Sequence, residues 1–168
     1  MSLEPAPHAA VRRVVGIAEL AVSDDPRVSF VTYALGSCVA VAAWAPARCA
    51  GGLIHFMLPL SKAMPKRSTD KPALFADTGV PLLFRRLYTL GCSKEELVVK
   101  VAGGGRLLGG SDELDVGSRN LEMLDYLFAR SAVEVAARDV GGTVSRTVEF
   151  KLATGEVCVR SRGKERLL

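Results

Sequence analysis

The residues best suited to chemistry are Cys38 and His55. Cys38 is delivered by Leu35-Gly36-Ser37-Cys38 between two apolar runs, and His55 follows seventeen residues later inside Leu53-Ile54-His55-Phe56-Met57-Leu58. A thiol is a poor nucleophile until ionised, and a nearby imidazole can take its proton and hold the ion pair. Backbone amides of the turn Gly36-Ser37-Cys38 would then hold the oxyanion formed when a thiolate attacks a carbonyl carbon. Gly36 suits close backbone approach because it has no side chain. The other histidine, His8, lies in Glu4-Pro5-Ala6-Pro7-His8, where nothing would hold it.

Whether thiol and imidazole meet is a question of strand register. Residues 28–33 are rich in β-branched and aromatic side chains and read as a strand. Residues 39–44 form a short apolar run between Gly36 and Pro46, which favours a buried strand, and 52–58 is its hairpin partner. If Ala45 pairs with Ala50 across a four-residue turn, 46–49, then Ala40 faces His55. Cys38 lies two residues along on the same face, a diagonal of roughly 7 Å between backbones. A turn one residue shorter or longer would put Cys38 and His55 on opposite faces.

The bland alternatives are structural. A free cysteine is most often a small buried hydrophobe, and a histidine in an apolar run can be a core residue bonded to backbone. Cys49 falls in the hairpin turn, Cys92 follows Gly91, and Cys158 belongs to a terminal alternating segment. A zinc site from Cys38, Cys49 and His55 would have three sequence-near ligands at irregular spacing, unlike the regular spacing of zinc motifs. Gly103-Gly104-Gly105 lacks the lysine and Ser/Thr of a phosphate-binding loop and reads as a tight turn.

The remaining elements frame these two. Residues 13–22 read as a strand pair or one bent strand, and 60–71 as a polar surface loop beside the Cys and His segments, of the kind that shapes a substrate entrance. A helix is expected from about Thr78 to Leu90, since Pro81 is tolerated only near a helix start. A strand over 97–102, a helix over 119–130 and a strand over 133–137 follow. Val148, Phe150 and Leu152 alternate with polar residues, and Thr154-Gly155 turns the chain into 157–160, a hairpin with one wet face. Strands first and last with two main helices between them give an α+β layered domain. The expected organisation is a flexible tail over 1–12, one domain over 13–162 and a short tail over 163–168.

Composition narrows the function classes. The chain has 168 residues, 49% hydrophobic and 24% charged, enough to bury a core without disulfides or metal. Its net charge of +4 is scattered and not interleaved with stacking aromatics, which argues against nucleic acid. Four cysteines without a CxxC, no apolar signal segment and no run of about 20 apolar residues point to a reduced, cytoplasmic protein without direct membrane insertion.

At these residues the sequence resembles the CheD family, the chemoreceptor glutamine deamidases of bacterial and archaeal chemotaxis. The resemblance is carried by Thr32 six residues before Cys38, Leu35 to Val41, Gly52 leading to His55-Phe56-Met57-Leu58-Pro59, and Ala76-Asp77-Thr78. It continues through Lys100-Val101-Ala102-Gly103-Gly104, Val116-Gly117-Ser118-Arg119-Asn120, Gly141-Gly142 with Arg146, and Thr154-Gly155 leading to Val159-Arg160. The resemblance implies a cofactor-free and metal-free Cys-His hydrolase that converts receptor glutamines to glutamates. It also implies a layered α/β/β fold with mixed and antiparallel sheets, similar to the catalytic domain of cytotoxic necrotizing factor. Carried over by position, Cys38 would be the nucleophile, His55 the general base and acid, and Thr32 the residue that orients His55. Chemoreceptors, the methyl-accepting chemotaxis proteins, would be the substrate partner, and a CheC-type phosphatase a second partner. Pro81 and the sequence of 60–71 depart from the family pattern, which bears on substrate choice more than on chemistry. The competing readings are a docking adaptor without catalysis and a thiol redox sensor, the latter requiring Cys49 as resolving cysteine.

Overall fold

Two five-stranded sheets and a layer of helices account for the periodicities in the chain. The computed structural model describes residues 9–106 and 115–168; His8 lies outside the described residues. One sheet runs in the order β1 (Val11–Val14), β3 (Val28–Leu35), β8 (Arg146–Lys151), β9 (Val157–Ser161), β10 (Lys164–Leu167). The other runs β2 (Glu19–Ser23), β5 (Ala50–Phe56), β4 (Val39–Ala45), β6 (Val98–Gly103), β7 (Val135–Val140). The β1–β3 and β6–β7 pairs are parallel and the rest antiparallel, so both sheets are mixed. Three α-helices, α1 (Pro65–Asp70), α2 (Ala76–Thr89) and α3 (Val116–Ser131), and four short 3-10 turns complete the described elements.

The second sheet is covered on both faces, which is why β4 and β5 are continuous apolar runs instead of alternating ones. On one face Val39, Val41 and Ile54 pack against Leu83 and Leu87 of α2 and Leu124 and Phe128 of α3. On the other, Ala40, Ala42 and Leu53 meet Phe30, Phe150 and Val159 of the first sheet. The layers are therefore helices, sheet, sheet. The first sheet needs only one apolar face, and β8 shows it: Val148 and Phe150 are buried, Thr147 and Glu149 half-buried, and Lys151 exposed.

Several expectations shift. Residues 13–22 contribute to two strands in different sheets, β1 and β2, with Val15 buried between the layers. Strands also occupy 11–12 and 164–167, positions read from the sequence as tails. The polar stretch 60–71 is not all loop, because 65–70 folds as α1. Helix α2 begins at Ala76, two residues before the expected start, and keeps Pro81 inside it. The reason is tertiary: Ala76 N–H donates to the Leu58 carbonyl at 2.8 Å, and Leu58 bridges Phe75, pinning the helix start to the end of β5. The Asp77 carboxylate then accepts from the Ser61 amide and hydroxyl at 3.0 and 2.9 Å. These anchors offset the helical hydrogen bond that Pro81 removes.

Candidate active site

The crossover from β3 to β4 moves the chain from one sheet into the other, and Cys38 is the last residue before β4. Thr32 shares a strand face with Phe30, which packs in the layer between the sheets, and it is fully buried. The β3–β8 register slips between Thr32 and Leu35, where Ala34 adopts a left-handed φ of 56°. Such bulges bend a strand and re-aim the residues beyond them. Gly36 N–H donates to the Ala34 carbonyl at 3.0 Å and closes the turn. Gly36 itself is outside the left-handed region, and a Cβ built on it meets nothing within 4 Å. The turn therefore requires no glycine at 36; the space beside it is open.

The hairpin takes the register that puts both groups on one face. Ala45 pairs with Ala50 and Ala40 with His55, and Cys49 closes the turn in the left-handed region at φ 50°. His55, 1% exposed, meets Thr32 across the two sheets, its Nδ1 2.7 Å from Thr32 Oγ1. Its Nε2 is buried and makes no hydrogen bond among the described residues, the Cys38 thiol included. Cys38 is 8% exposed and lies in the same inter-sheet cluster as Ala40.

The Cys38 turn is held from behind by segments whose role the sequence reading missed. Gly104 N–H donates to the Cys38 carbonyl at 2.8 Å and Gly105 N–H to the Gly36 carbonyl at 2.7 Å. A Cβ on Gly103, whose φ is 110°, would collide with the Cys38 carbonyl oxygen. The glycine run is a backing for the Cys38 turn, and the Gly104 and Gly105 amides are spent on that contact. Behind it, Gly141 N–H donates to the Gly103 carbonyl at 2.9 Å. Buried Arg146 in turn bonds the Gly141 carbonyl and Asp139, both at 2.9 Å. From the helix layer, Asn120 donates from one amide nitrogen to the carbonyls of Ser37 and Met57, at 3.0 and 2.9 Å. A three-glycine run followed by Gly-Gly and a lone arginine was the available signal, legible only once the strand order was known.

Burial sets the protonation of both groups. It pushes the His55 imidazole down to about 4, against a weaker opposing pull from Glu19. It pushes the Cys38 thiol up, partly offset by the residue's own backbone amide. Both shifts favour the uncharged form, so the resting pair is thiol and neutral imidazole, not an ion pair.

A groove of about 600 Å³ lies between the segment after β5 and the start of α3, lined by Leu58, Leu60, Lys62, Met64, Phe75 and Arg119 among others and by none of Thr32, Cys38 and His55. It includes the first part of the 60–71 stretch, which the sequence assigned to a substrate entrance. Cys49 sits at the opposite end of β4 from Cys38. Seven residues at about 3.3 Å each hold the two roughly 20 Å apart, while a disulfide needs Cα atoms within about 7 Å. That separation overturns both the redox-sensor reading and a zinc site shared by Cys38, Cys49 and His55.

The fold and site define an α+β protein in which a buried threonine and histidine meet between two sheets beside a cysteine turn. Known proteins carry the comparison further. The sequence matches the CheD family, described as CheD chemotactic sensory transduction, over residues 57–161. It is 50% identical over 147 residues to the probable chemoreceptor glutamine deamidase CheD 2 of Anaeromyxobacter dehalogenans, covering 88% of this chain and 92% of that one. The probable chemoreceptor glutamine deamidase CheD 1 of Syntrophus aciditrophicus is 41% identical over 150 residues, 89% of this chain and 94% of its own. The chemoreceptor glutamine deamidase CheD of Thermotoga maritima is 38% identical over 153 residues, 91% and 94% of the two chains. This chain belongs to the CheD family. Among the described residues, no helix is long and apolar enough to cross a membrane.

Proposed function

We propose that this chain is a protein-glutamine deamidase that converts chemoreceptor glutamines to glutamates, with Cys38 as nucleophile, His55 as base and acid, and Thr32 as the residue that orients His55. The observation that carries the reading is the Thr32–His55 contact at 2.7 Å, with Nε2 left without a hydrogen-bond partner among the described residues. With Nδ1–H donating to Thr32 Oγ1, the lone pair resides on Nε2, the nitrogen free to take a proton. Because thiol and imidazole are both neutral at rest, proton transfer accompanies attack instead of preceding it. The Cys38 sulfur bonds the carboxamide carbon as its proton passes to Nε2, and that proton goes to the departing nitrogen as the C–N bond breaks. Ammonia leaves a thioester. Water, losing a proton to His55, then adds to the thioester carbon, the C–S bond breaks, and the thiol recovers its proton.

Of the turn's amides, that of Gly36 is committed to Ala34, so Ser37 and Cys38 supply the candidate oxyanion donors. Gly36 contributes the open approach. The layered sheets with the thiol at their seam also support kinship with the catalytic domain of cytotoxic necrotizing factor. Family membership is what supports a CheC-type phosphatase as a second partner.

Mass spectrometry of cognate chemoreceptors incubated with the protein tests the reading. The expected result is release of ammonia and a gain of about one dalton per modified glutamine, both abolished in a folded Cys38→Ala variant. Binding to receptors with their mass unchanged, or full activity in Cys38→Ala, would overturn it in favour of an adaptor or another nucleophile.

A further inference from the structure

The β4–β5 ladder ends at the pair Val39 and Phe56. One step further, where Cys38 and Met57 would pair next, the strands fork. Met57 N–H donates to the Leu74 carbonyl at 3.0 Å, drawing that strand towards the segment before α2, while the Cys38 carbonyl turns to Gly104. The nucleophile and the histidine strand therefore diverge at the point where their spacing matters. Asn120, fully buried in the first turns of α3, fills the fork. Its Nδ2 donates to the carbonyl of Ser37, immediately before the thiol, and to the carbonyl of Met57, two residues after the imidazole.

We propose that Asn120 is a positioning residue that fixes the Cys38 turn against the His55 strand by bridging the Ser37 and Met57 carbonyls. Two acceptors converging on one point require a nitrogen with two protons at the end of a short stem, which asparagine supplies and aspartate, serine or leucine does not. A second observation supports a role beyond packing. Asn120 Oδ1 is buried with no hydrogen-bond partner among the described residues. Leaving a buried acceptor unsatisfied is unfavourable, so the amide is placed by the two bonds its nitrogen donates and not by the needs of its own oxygen. The orientation of the amide is also unambiguous, since flipping it would set Oδ1 against two carbonyl oxygens. The inference rests on the assignment of Cys38 and His55 above, and its test separates the two.

The test measures deamidation kinetics together with iodoacetamide alkylation resolved at Cys38 by peptide mass spectrometry, for wild type, Asn120→Ala, Asn120→Ser, Asn120→Asp and the core control Leu124→Ala. Losing the bridge frees the turn, so kcat should fall on the order of 100-fold in Asn120→Ala and Asn120→Asp with KM within about 3-fold. In Asn120→Ala the thiol leaves its desolvated seat, so its alkylation at pH 7 should rise about 3-fold or more. Serine, keeping one donor, should fall between. Leu124→Ala, in the same helix but on the core side, should lower Tm and leave both readouts within about 3-fold of wild type well below that Tm. Asn120 variants with native circular dichroism and wild-type kcat and alkylation would overturn the proposal, as would a Leu124→Ala variant that reproduces both changes. If Asn120→Asp does not fold, the alanine and serine variants decide. Should wild type release no ammonia, the deamidase reading fails, while the alkylation arm still decides the role of Asn120.

Discussion

Burial acts on the Cys38 thiol and the His55 imidazole in opposite directions on the pKa scale and towards the same end. The imidazole is held down to about 4 and the thiol is pushed up, so the two ordinary inflections move apart. Between them both groups keep one protonation state. For an enzyme that moves the thiol proton in step with attack, kcat/KM should be flat with pH across about 6 to 8, without the inflection near 6.5 of an ordinary histidine. A pH series with receptor substrate measures it, and an inflection between pH 6 and 8 would mean an ion pair forms before attack. At this scale the sequence marked Cys38 and His55 as candidates, and the family resemblance added Thr32, whose Oγ1 lies 2.7 Å from His55 Nδ1. Their protonation was not legible, because it depends on burial by the other sheet, in which Phe30 is joined by Phe150 from the far end of the sequence.

Element geometry decides which glycines matter near the thiol. The β4–β5 register stayed conditional on the turn length, because both strands are unbroken apolar runs without an alternation to choose it; the four-residue turn 46–49 is the one the fold adopts. The bulge at Ala34 and the backing of the Cys38 turn were not readable, since both depend on neighbours brought in by sheet order. Helix α1 was hidden for a local reason: its six residues are polar and bury nothing, so no apolar stripe marks them. The contrast between Gly36 and Gly103 is testable. Gly103→Ala forces a Cβ into the Cys38 carbonyl at a left-handed φ, and should cost about 2 kcal/mol or more in urea denaturation and abolish activity. Gly36→Ala places its methyl in open space at an ordinary φ, so stability should stay within about 0.5 kcal/mol while kcat/KM falls through a blocked approach to the thiol. Unchanged kcat/KM in Gly36→Ala would show that the open face of the turn is not where substrate enters, and equal losses of stability in the two variants would show that the space at Gly36 is not open.

Across the whole molecule, the candidate site lies at the seam where two sheets close, so the imidazole proposed as the base is also a group on which stability depends. His55 is 1% exposed and has its pKa held at about 4, whereas in the unfolded chain it returns to about 6.5. As pH falls below 6.5 the unfolded chain takes up a proton on this imidazole, and the folded chain does not until about pH 4. Acid therefore favours the unfolded state: the contribution is fully present above pH 6.5, erodes at up to about 1.4 kcal/mol per pH unit below it, and levels off near pH 4. The total is about 3 kcal/mol, a large share of a typical domain's 5–15 kcal/mol. Urea denaturation at pH 7, 6, 5 and 4.5 should show this loss in wild type. His55→Gln, which keeps a polar group facing Thr32 but cannot titrate, should lose less over the same interval, because only carboxylates remain to respond. Parallel pH profiles for the two proteins would mean that the imidazole is protonated within the fold, and the neutral thiol–imidazole pair would fall with it.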